Sequence, residues 1–442
     1  MAKYKNYSSY QKNYEDDIHF PSHWVKKKLK WEILAKSGVD EKNLSGTYDL
    51  YGANGIIGKS STCLQFKILP VVLIGRVGSA GALNYLDYEA GISDNALVVQ
   101  NISYNAPRFD FYLLMSLKLD EIVSKNAQPL ITASNIRDLY VYVPNDENER
   151  NDIANFLDHE TAKIDTLISK QEKLIELLKE KRQAVISHAV TKGLNPNVPM
   201  KDSGVEWLGE VPEHWVITPI RNLTRSGNLL LQDGNHGELH PAANDYVEEG
   251  IPFLMANNIR AGKLLMGDVK RIPKHIADKL RIGFAKTGDM LLTHKGTVGE
   301  VAVIPPEIQE EYWMLTPQVT YYRWNNQKFF NKYFYYQFQS TSIQNQLEII
   351  GGKQSTRAYV GLIAQGDLIV VIPPKNEQIE IATNIFDKDQ SYQVMIEKAE
   401  SAIQLMQERR TALISAAVTG KIDVRNWQYP NQNNNNNTEL SA

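Results

Sequence analysis

One segment of the sequence occurs twice. NERNDIANFLDHETAKIDTLISKQEKLIELLKEKRQAVISHAVT at 148–191 aligns without a gap with NEQIEIATNIFDKDQSYQVMIEKAESAIQLMQERRTALISAAVT at 376–419, at a constant offset of 228 residues. By direct count, 17 of the 44 aligned positions are identical, and both copies end in Ala-Val-Thr. An internal repeat of this length indicates a duplicated architecture in which each copy forms the same structural unit.

Each copy predicts one long helix that ends at a glycine, Gly193 or Gly420. Apolar residues recur on a seven-residue pattern between Lys and Glu. They are Ile164, Leu167, Ile168, Leu174, Ile175, Leu178 and Val185 in the first copy, and Tyr392, Met395, Ile396, Ala402, Ile403, Met406 and Leu413 in the second. About 40 residues at 1.5 Å each make a rod of roughly 60 Å. The apolar stripe of such a helix must be covered, and the helix of the other copy is the nearest candidate to cover it. The alternative is that the two segments are separate amphipathic core helices.

The segments before the helices also correspond, although insertions separate the two copies. His23-Trp24 matches His214-Trp215, the glycine-containing stretch 78–81 matches 296–299, NAQPLI at 126–131 matches GKQSTR at 352–357, and VYVP at 141–144 matches VVIP at 370–373. Short β-branched runs such as VVLIG, ALVVQ and LIVVI, separated by Gly, Asn and Pro, predict strands. The expected fold class is α+β, with a sheet-containing domain before each helix.

Composition limits the classes of function. The chain has 442 residues, 43% of them apolar, a net charge of −3 and one cysteine, which excludes a disulfide framework. Residues 1–147 hold 16 basic and 16 acidic side chains, and residues 201–375 hold 18 of each. Any binding to a polyanion must therefore come from local patches. The N-terminal 17 residues have no apolar core and no apolar run reaches 18 residues, so we expect a cytoplasmic protein without a membrane span.

Searches for catalytic motifs fail. YGANGIIGKS at 51–60 has five residues between Gly52 and Gly58, where a Walker A loop has four. His236 and His240 are flanked by Gly237 and Pro241, which makes a helical two-histidine metal site improbable, and we predict no metal site. The sequence also lacks an Asn-Pro-Pro-aromatic run of the kind that DNA amino-methyltransferases use. A duplicated chain without a catalytic set indicates a binding protein.

Three strings carry a family resemblance. KDSGVEWLGEVPEHW at 201–215, PPKNEQIEIA at 373–382 and RRTALISAAVTGKIDVR at 409–425 resemble the specificity subunit of type I restriction–modification systems. The first copy departs from the pattern at its start, which places the N-terminal boundary of its domain in doubt. The resemblance implies two target recognition domains, each reading one half of a split DNA sequence. It also implies two long helices packed as an antiparallel coiled coil, with an internal pseudo-two-fold repeat.

The implied domain order is recognition domain 1 at 1–147, spacer helix at 148–192, recognition domain 2 at 193–375, spacer helix at 376–420 and a partly disordered tail at 421–442. Such subunits are non-catalytic. They recruit two methyltransferase subunits that methylate adenine N6, and they can also assemble with two restriction subunits. S-adenosylmethionine, ATP and magnesium are expected in those partners and no cofactor is expected in this chain.

The DNA-contacting residues are predicted from residue type. Arg and Lys read guanine and Asn and Gln read adenine, while residues 260–295 carry a local excess of six positive charges. Glycine-containing loops let backbone approach phosphates, which favours Arg76 with Ser79, and Lys295 with Thr297. The other candidates are Asn54, Lys59, Gln128, Asn257, Asn258, Arg260, Lys263, Lys353, Gln354 and Arg357. A solvated charged face and ordinary turn chemistry are the alternatives for these residues.

Two other functions stay open from sequence. A coiled-coil scaffold that holds proteins together would show no sequence-dependent DNA retention. A fused methyltransferase would bind S-adenosylmethionine when purified alone. The bases read, the spacer length and the presence of a restriction subunit do not follow from the sequence.

Overall fold

The computed structural model describes residues 4–13, 18–63, 69–101, 106–117, 119, 130–237, 239–351 and 359–429. The chain divides into two compact units. The first unit joins residues 1–172 to residues 400–442, and the second unit comprises residues 173–399. Each unit therefore combines one sheet-containing domain with parts of both repeated segments.

The first unit contains eleven named strands and three helices within the described residues. The strands are β1 (Tyr10–Asn13), β2 (Ile18–Pro21), β3 (Trp24–Lys28), β4 (Ile33–Ser37), β5 (Tyr48–Gly52), β6 (Gly55–Ser60), β7 (Val71–Gly75), β8 (Leu83–Leu86), β9 (Gly91–Ile92), β10 (Ala96–Asn101) and β11 (Tyr140–Pro144). The helices are α1 (Pro107–Ser116), α2 (Ala133–Arg137) and α3 (Glu147–Lys192), the last of which continues into the second unit.

The second unit has more strands, and they follow a similar order. They are β12 (Met200–Asp202), β13 (Glu210–Pro212), β14 (Val216–Pro219), β15 (Leu229–Asp233), β16 (Ile251–Leu254), β17 (Ile259–Arg260), β18 (Lys263–Leu264), β19 (Lys270–Ile272), β20 (Phe284–Ala285), β21 (Met290–Lys295), β22 (Thr297–Val303), β23 (Trp313–Leu315), β24 (Val319–Trp324) and β25 (Ile369–Ile372). The helices are α4 (Ile220–Arg225), α5 (Lys274–Ala277), α6 (Asn331–Gln339), α7 (Thr341–Gly351), α8 (Leu362–Gly366) and α9 (Lys375–Val418), the last of which continues into the first unit.

The two predicted long helices are confirmed as α3, of 46 residues, and α9, of 44 residues. Gly193 follows α3 with a φ of 78°, and Gly420 lies two residues after α9 with a φ of 71°. Glycine adopts this left-handed conformation without the steric cost that a Cβ brings, so it ends a helix readily.

The long helices pack together in antiparallel fashion, as predicted. In the first unit, Ile164 of α3 and Leu413 of α9 share one hydrophobic core. In the second unit the pairing is reversed, because Ile186 near the end of α3 shares a core with Ile385 near the start of α9. One ion pair lies between the helices in each unit: Arg410 Nε is 2.9 Å from Asp165 Oδ1, and Arg182 Nε contacts Asp389 Oδ1.

The seven-residue stripe is buried only in part. Leu167 and Leu174 of α3 are 41% and 43% exposed, and Met395 of α9 is 50% exposed. A straight helix drifts by about 20° per heptad from a strict seven-residue repeat, so positions on such a stripe leave the contact line unless the helices supercoil. The expectation that the whole stripe is covered by the other helix is therefore wrong for these three side chains.

The same four-stranded antiparallel sheet forms in both units. Its strand order is β4-β10-β7-β8 in the first unit and β15-β24-β21-β22 in the second. A second sheet in each unit contains one parallel pair, β5 with β9 in the three-stranded sheet of the first unit and β16 with β23 in the four-stranded sheet of the second. The predicted correspondence of VYVP with VVIP is confirmed, because β11 pairs with β3 and β25 pairs with β14.

The four-stranded sheets are buried on both faces. In β7, Val72 and Ile74 face one hydrophobic cluster, while Val71 and Leu73 face another. Alternate side chains of a strand point to opposite faces, so a strand covered on both sides reads as a continuous apolar run. None of the helices in the described part of the chain is long and apolar enough to cross a membrane.

Candidate nucleic-acid interface

A buried carboxylate ties the first sheet domain to the start of α3. Glu149 is 3% exposed, and it accepts hydrogen bonds from Trp24 Nε1 at 3.0 Å and from the Tyr7 hydroxyl at 2.7 Å. His23 Nε2 lies 2.8 Å from the same carboxylate. These bonds tie the start of β3 to the first turn of α3.

The second unit repeats this junction. Glu377, 228 residues after Glu149, accepts from Trp215 Nε1 at 3.0 Å, and His214 Nε2 lies 2.8 Å from its other oxygen. The His-Trp pairs that the sequence aligns are thus junction residues, and their partner is a glutamate in each copy of the repeat. The sequence alone does not connect these residues, because an alignment of the two copies does not show which side chains meet.

Four predicted DNA contacts of the second unit come together at two neighbouring turns. Lys295 and Thr297 pair across the turn between β21 and β22. Arg260 and Lys263 pair across the turn between β17 and β18, and Arg260 Nη2 lies 3.4 Å from Thr297 Oγ1. Glu300 of β22 anchors Arg260, with an N–O distance of 3.8 Å.

The two asparagines before β17 have different environments. Asn257 is exposed, whereas Asn258 is 2% exposed. Asn258 accepts from the Met255 N–H at 2.9 Å and donates to the Leu265 carbonyl at 3.3 Å. Because the Asn258 amide holds the local turn, it is the predicted DNA contact that the geometry supports least.

Some cations of the basic segment 260–295 are in ion pairs with acidic side chains. Arg271 lies 3.1 Å from Glu310, and Lys274 lies 2.8 Å from Asp278, so both are in ion pairs. Hydrogen bonds from Lys274 hold the pKa of Asp278 below its ordinary value. The exposed cations of the segment are Arg260, Lys263, Lys270, Lys274, Lys279, Arg281, Lys286 and Lys295.

Two turns also meet in the first unit. Asn54 lies in the turn that connects β5 to β6, and Ser79 lies in the turn that connects β7 to β8. Both residues are exposed. The turns converge on Gly75, where an added Cβ would overlap the carbonyl oxygens of both Ala53 and Ser79. A side chain at position 75 would push the turns apart, so the missing Cβ brings Asn54 and Ser79 to the same edge of the domain.

The two cationic candidates of the first unit are already engaged. Lys59 Nζ lies 2.7 Å from Asp49, and its hydrogen bond holds the pKa of that carboxyl below its ordinary value. Arg76 donates from Nη1 to Ser37 Oγ at 2.8 Å and to the Asp94 carbonyl at 3.1 Å. Arg76 therefore has a structural part to play beside any contact with DNA.

Four further candidates, Gln128, Lys353, Gln354 and Arg357, lie outside the described residues. Their flanks show that the sequence alignment is shifted here. Leu130 bridges Val77 in the first unit, and Tyr359 bridges Lys295 in the second. Leu130 thus corresponds to Tyr359, three residues beyond the match that aligning NAQPLI with GKQSTR gives.

The structure adds residues that the sequence analysis did not select. His294 is 1% exposed, directly precedes Lys295 and lies 3.5 Å from Asp233. Tyr359 is 55% exposed, and its ring centroid lies 5.6 Å from that of His294. An exposed aromatic next to a basic turn is a signal for nucleic-acid contact, but nothing in the sequence places Tyr359 there.

The side chains gathered at these turns are cations, amides and hydroxyls. Such groups donate to phosphate oxygens and to the edges of bases in the major groove. Within the described residues, no three His, Cys, Asp or Glu side chains are grouped so as to hold a metal ion.

Comparison with known proteins gives concordant matches. The family model for the type I restriction modification DNA specificity domain matches residues 21–177, which belong to the first copy. The specificity subunit of the type I restriction enzyme MjaVIII from Methanocaldococcus jannaschii is 22% identical over 329 residues, 72% of this chain and 72% of that subunit. The EcoBI specificity subunit from Escherichia coli is 22% identical over 288 residues, 64% of this chain and 58% of that subunit.

The fold agrees with these sequence matches. A solved structure from work on complex assembly and conformational transition of the type I restriction–modification system has a TM-score of 0.61. It covers 91% of this chain and 99% of its own, at 14% identity, so it shows a shared fold. The chain thus carries a match to the type I restriction modification DNA specificity domain over residues 21–177, and in sequence it is similar to type I restriction enzyme specificity subunits.

Proposed function

We propose that this chain is a specificity subunit that reads a split DNA target, with each unit recognising one half of it. The observation that carries the proposal is the duplication of one sheet whose β7–β8 or β21–β22 turn gathers polar and cationic side chains. Lys295 and Thr297 occupy that turn in the second unit, and Ser79 occupies it in the first. As a specificity subunit, the chain supplies sequence recognition and is a non-catalytic part of its complex.

The long helices are the proposed spacer between the half-sites. Half-sites that face one side of a duplex lie about one helical turn, 34–36 Å, apart or at multiples of it. Packed helices of 46 and 44 residues are stiff elements, because each satisfies its backbone internally and buries apolar side chains against the other. We therefore expect the helices to fix the number of base pairs between the half-sites.

The proposed partners are double-stranded DNA, two methyltransferase subunits and, where present, two restriction subunits. Curated relatives are subunits of restriction enzymes, which supports a multisubunit assembly. S-adenosylmethionine, ATP and magnesium are assigned to those partners. We also propose a cytoplasmic location, because a subunit that reads genomic DNA must share a compartment with it.

The decisive experiment is modified-base sequencing of genomic DNA from the source strain, with and without the gene for this chain. We expect N6-methyladenine at one split motif to disappear on deletion and to return when the wild-type gene is restored. A methylation map that stays unchanged, while the partner methyltransferase is expressed, would favour the protein-scaffold alternative.

A further inference from the structure

His294 is a buried polar side chain without a hydrogen-bond partner. It lies on β21 at 1% exposure, and neither ring nitrogen makes a hydrogen bond. The nearest acid is Asp233 at the end of β15, whose Oδ1 is 3.5 Å from His294 Nε2. Buried polar atoms are nearly always hydrogen-bonded, so a buried imidazole without a hydrogen bond indicates a specific role.

This side chain lies directly under the candidate interface. The next residue, Lys295, begins the turn to β22, and the ring of Tyr359 rests 5.6 Å from the imidazole, centroid to centroid. The backbone of His294 also accepts a hydrogen bond from the Val360 N–H at 2.9 Å. A change in the charge of His294 would therefore act on the turn and on Tyr359 together.

The groups around the imidazole oppose one another. Burial has the largest influence on the pKa of His294 and lowers it. The Asp233 carboxylate and the carbonyls of Val360 and Pro317 favour the charged ring, whereas Lys295 disfavours it. The ring is thus neutral near pH 7, with an acceptor already placed for a proton.

The neighbouring strands bring few other charges to the ring. On β24, Thr320 donates its hydroxyl to Asp233 at 2.6 Å. On β22, Val298 is paired opposite His294, and Glu300 farther along is engaged by Arg260.

The first unit has a permanent cation at the corresponding place. Arg76 directly follows β7, and His294 is the penultimate residue of β21. The Arg76 carbonyl accepts from the Ile131 N–H at 3.1 Å, just as the His294 carbonyl accepts from Val360. Its guanidinium donates to Ser37, the last residue of β4, as His294 faces Asp233, the last residue of β15. Arginine keeps its charge at all pH values of interest, whereas histidine titrates near neutrality.

We propose that His294 is a positioning residue for the half-site read by the second unit, and that DNA binding there is coupled to protonation of its ring against Asp233. The inference rests on the proposed function. A phosphate that approaches Lys295 stabilises a cation beneath the turn, and the charged imidazole then donates to Asp233. The complex consequently holds more protons than the free chain, and affinity rises as pH falls.

The size of the effect is bounded by linkage. Uptake of one proton changes the affinity by at most about tenfold per pH unit, between the pKa values of His294 in the free and bound states. Burial lowers the pKa of His294 in the free chain, so the lower limit of this pH window lies below the ordinary pKa of a histidine. Arg76 takes up no proton, so the corresponding place in the first unit contributes nothing to this pH dependence.

The test is isothermal titration calorimetry of the full chain, with its methyltransferase partner, against a duplex carrying the target found by sequencing. Titrations at pH 6 to 8 in two buffers of different ionisation heat report proton uptake by the wild type. We expect tighter binding at pH 6, with uptake approaching one proton, and loss of both in His294→Gln and Asp233→Asn. His275→Gln, which changes an exposed histidine of α5, is the matched control and should behave as wild type.

The outcomes separate the two proposals. If the wild type binds its target but takes up no proton, or if His294→Gln keeps the pH profile of the wild type, the role of His294 is wrong. The wild-type titration decides this even if a variant does not fold. If the wild type does not distinguish target from scrambled duplex at any pH, the proposed function itself fails.

Discussion

Lys295 is an exposed cation at a tight turn, in the position that a phosphate or a base edge can reach. Replacing it with alanine should weaken binding of the target duplex by about 1–3 kcal/mol if it contacts a base. A gel-shift titration at fixed salt measures the change. Lys328→Ala is the matched control, because Lys328 is an exposed lysine beyond the opposite end of β24.

Arg76→Ala should also weaken binding of the target duplex, but this variant additionally loses the hydrogen bonds of Arg76 to Ser37 and to the Asp94 carbonyl.

The junction glutamates make a second prediction. Glu149→Gln should lower the free energy of unfolding by about 1–3 kcal/mol, because one of its buried donors loses its acceptor. Glu377→Gln should cost less, since the side chain of Glu377 is 26% exposed and water can replace the lost bond, whereas that of Glu149 is 3% exposed. Urea denaturation compares the two with Glu180→Gln, a change at an exposed position of α3. Equal losses for both junction variants would contradict the argument from burial.

A third prediction concerns the dependence of stability on pH in the acid range. Glu32 is 5% exposed, and although burial alone would raise its pKa, Arg150 at 2.7 Å and Lys27 at 3.0 Å hold it below its ordinary value. This ion-pair network therefore adds stability above about pH 4.3, the ordinary pKa of a glutamate, and loses it as the pH falls below that value.

The measurement is the stability of Glu32→Gln against wild type at pH 7 and at pH 4. We expect the variant to be less stable by about 1–3 kcal/mol at pH 7, because Arg150 keeps an acceptor but loses its counter-charge. The difference should shrink at pH 4. A gap that is unchanged between the two pH values would show that the charge of Glu32 does not matter.

At the scale of elements, the glycines after the long helices are not equivalent. Both have left-handed φ values, so alanine costs about 1–2 kcal/mol at either position. At Gly193 a Cβ would lie 3.3 Å from Trp215, a tight contact that a shift of a few tenths of an ångström relieves, but at Gly420 it would overlap the ring of Pro21. Gly420→Ala should therefore lower the free energy of unfolding by about 1–3 kcal/mol more than Gly193→Ala does, which is the usual cost of overpacking. Urea denaturation of the two variants tests the ranking, and a larger loss in Gly193→Ala would contradict it.

At the scale of the whole molecule, the duplicated units should read DNA independently. Arg260→Ala combined with Lys295→Ala should relax the base preference in one half of the methylated motif and leave the other half unchanged. Asn54→Ala combined with Lys59→Ala should relax the opposite half. Modified-base sequencing of strains that carry each pair measures both halves at once. A pair that alters both halves would show that the units do not act separately.

The sequence by itself determined the duplicated architecture, the two long helices and their ends, and the strands that stand before them. These features are local or periodic: a gapless repeat, a helical pattern without Pro or Gly, and β-branched runs bounded by turn residues. The family resemblance also follows from the sequence, because the motif strings that carry it are contiguous.

Only the tertiary structure decided which side chains meet. Glu149 lies 125 residues from Trp24, and His294 lies 61 residues from Asp233, so no periodic pattern can pair them. Burial of Asn258 and of His294, exposure of Tyr359 and of Leu167, and the meeting of two turns at Gly75 likewise arise from packing. Contacts between residues far apart in sequence depend on how strands and helices assemble, and composition and spacing do not encode that assembly in any local segment.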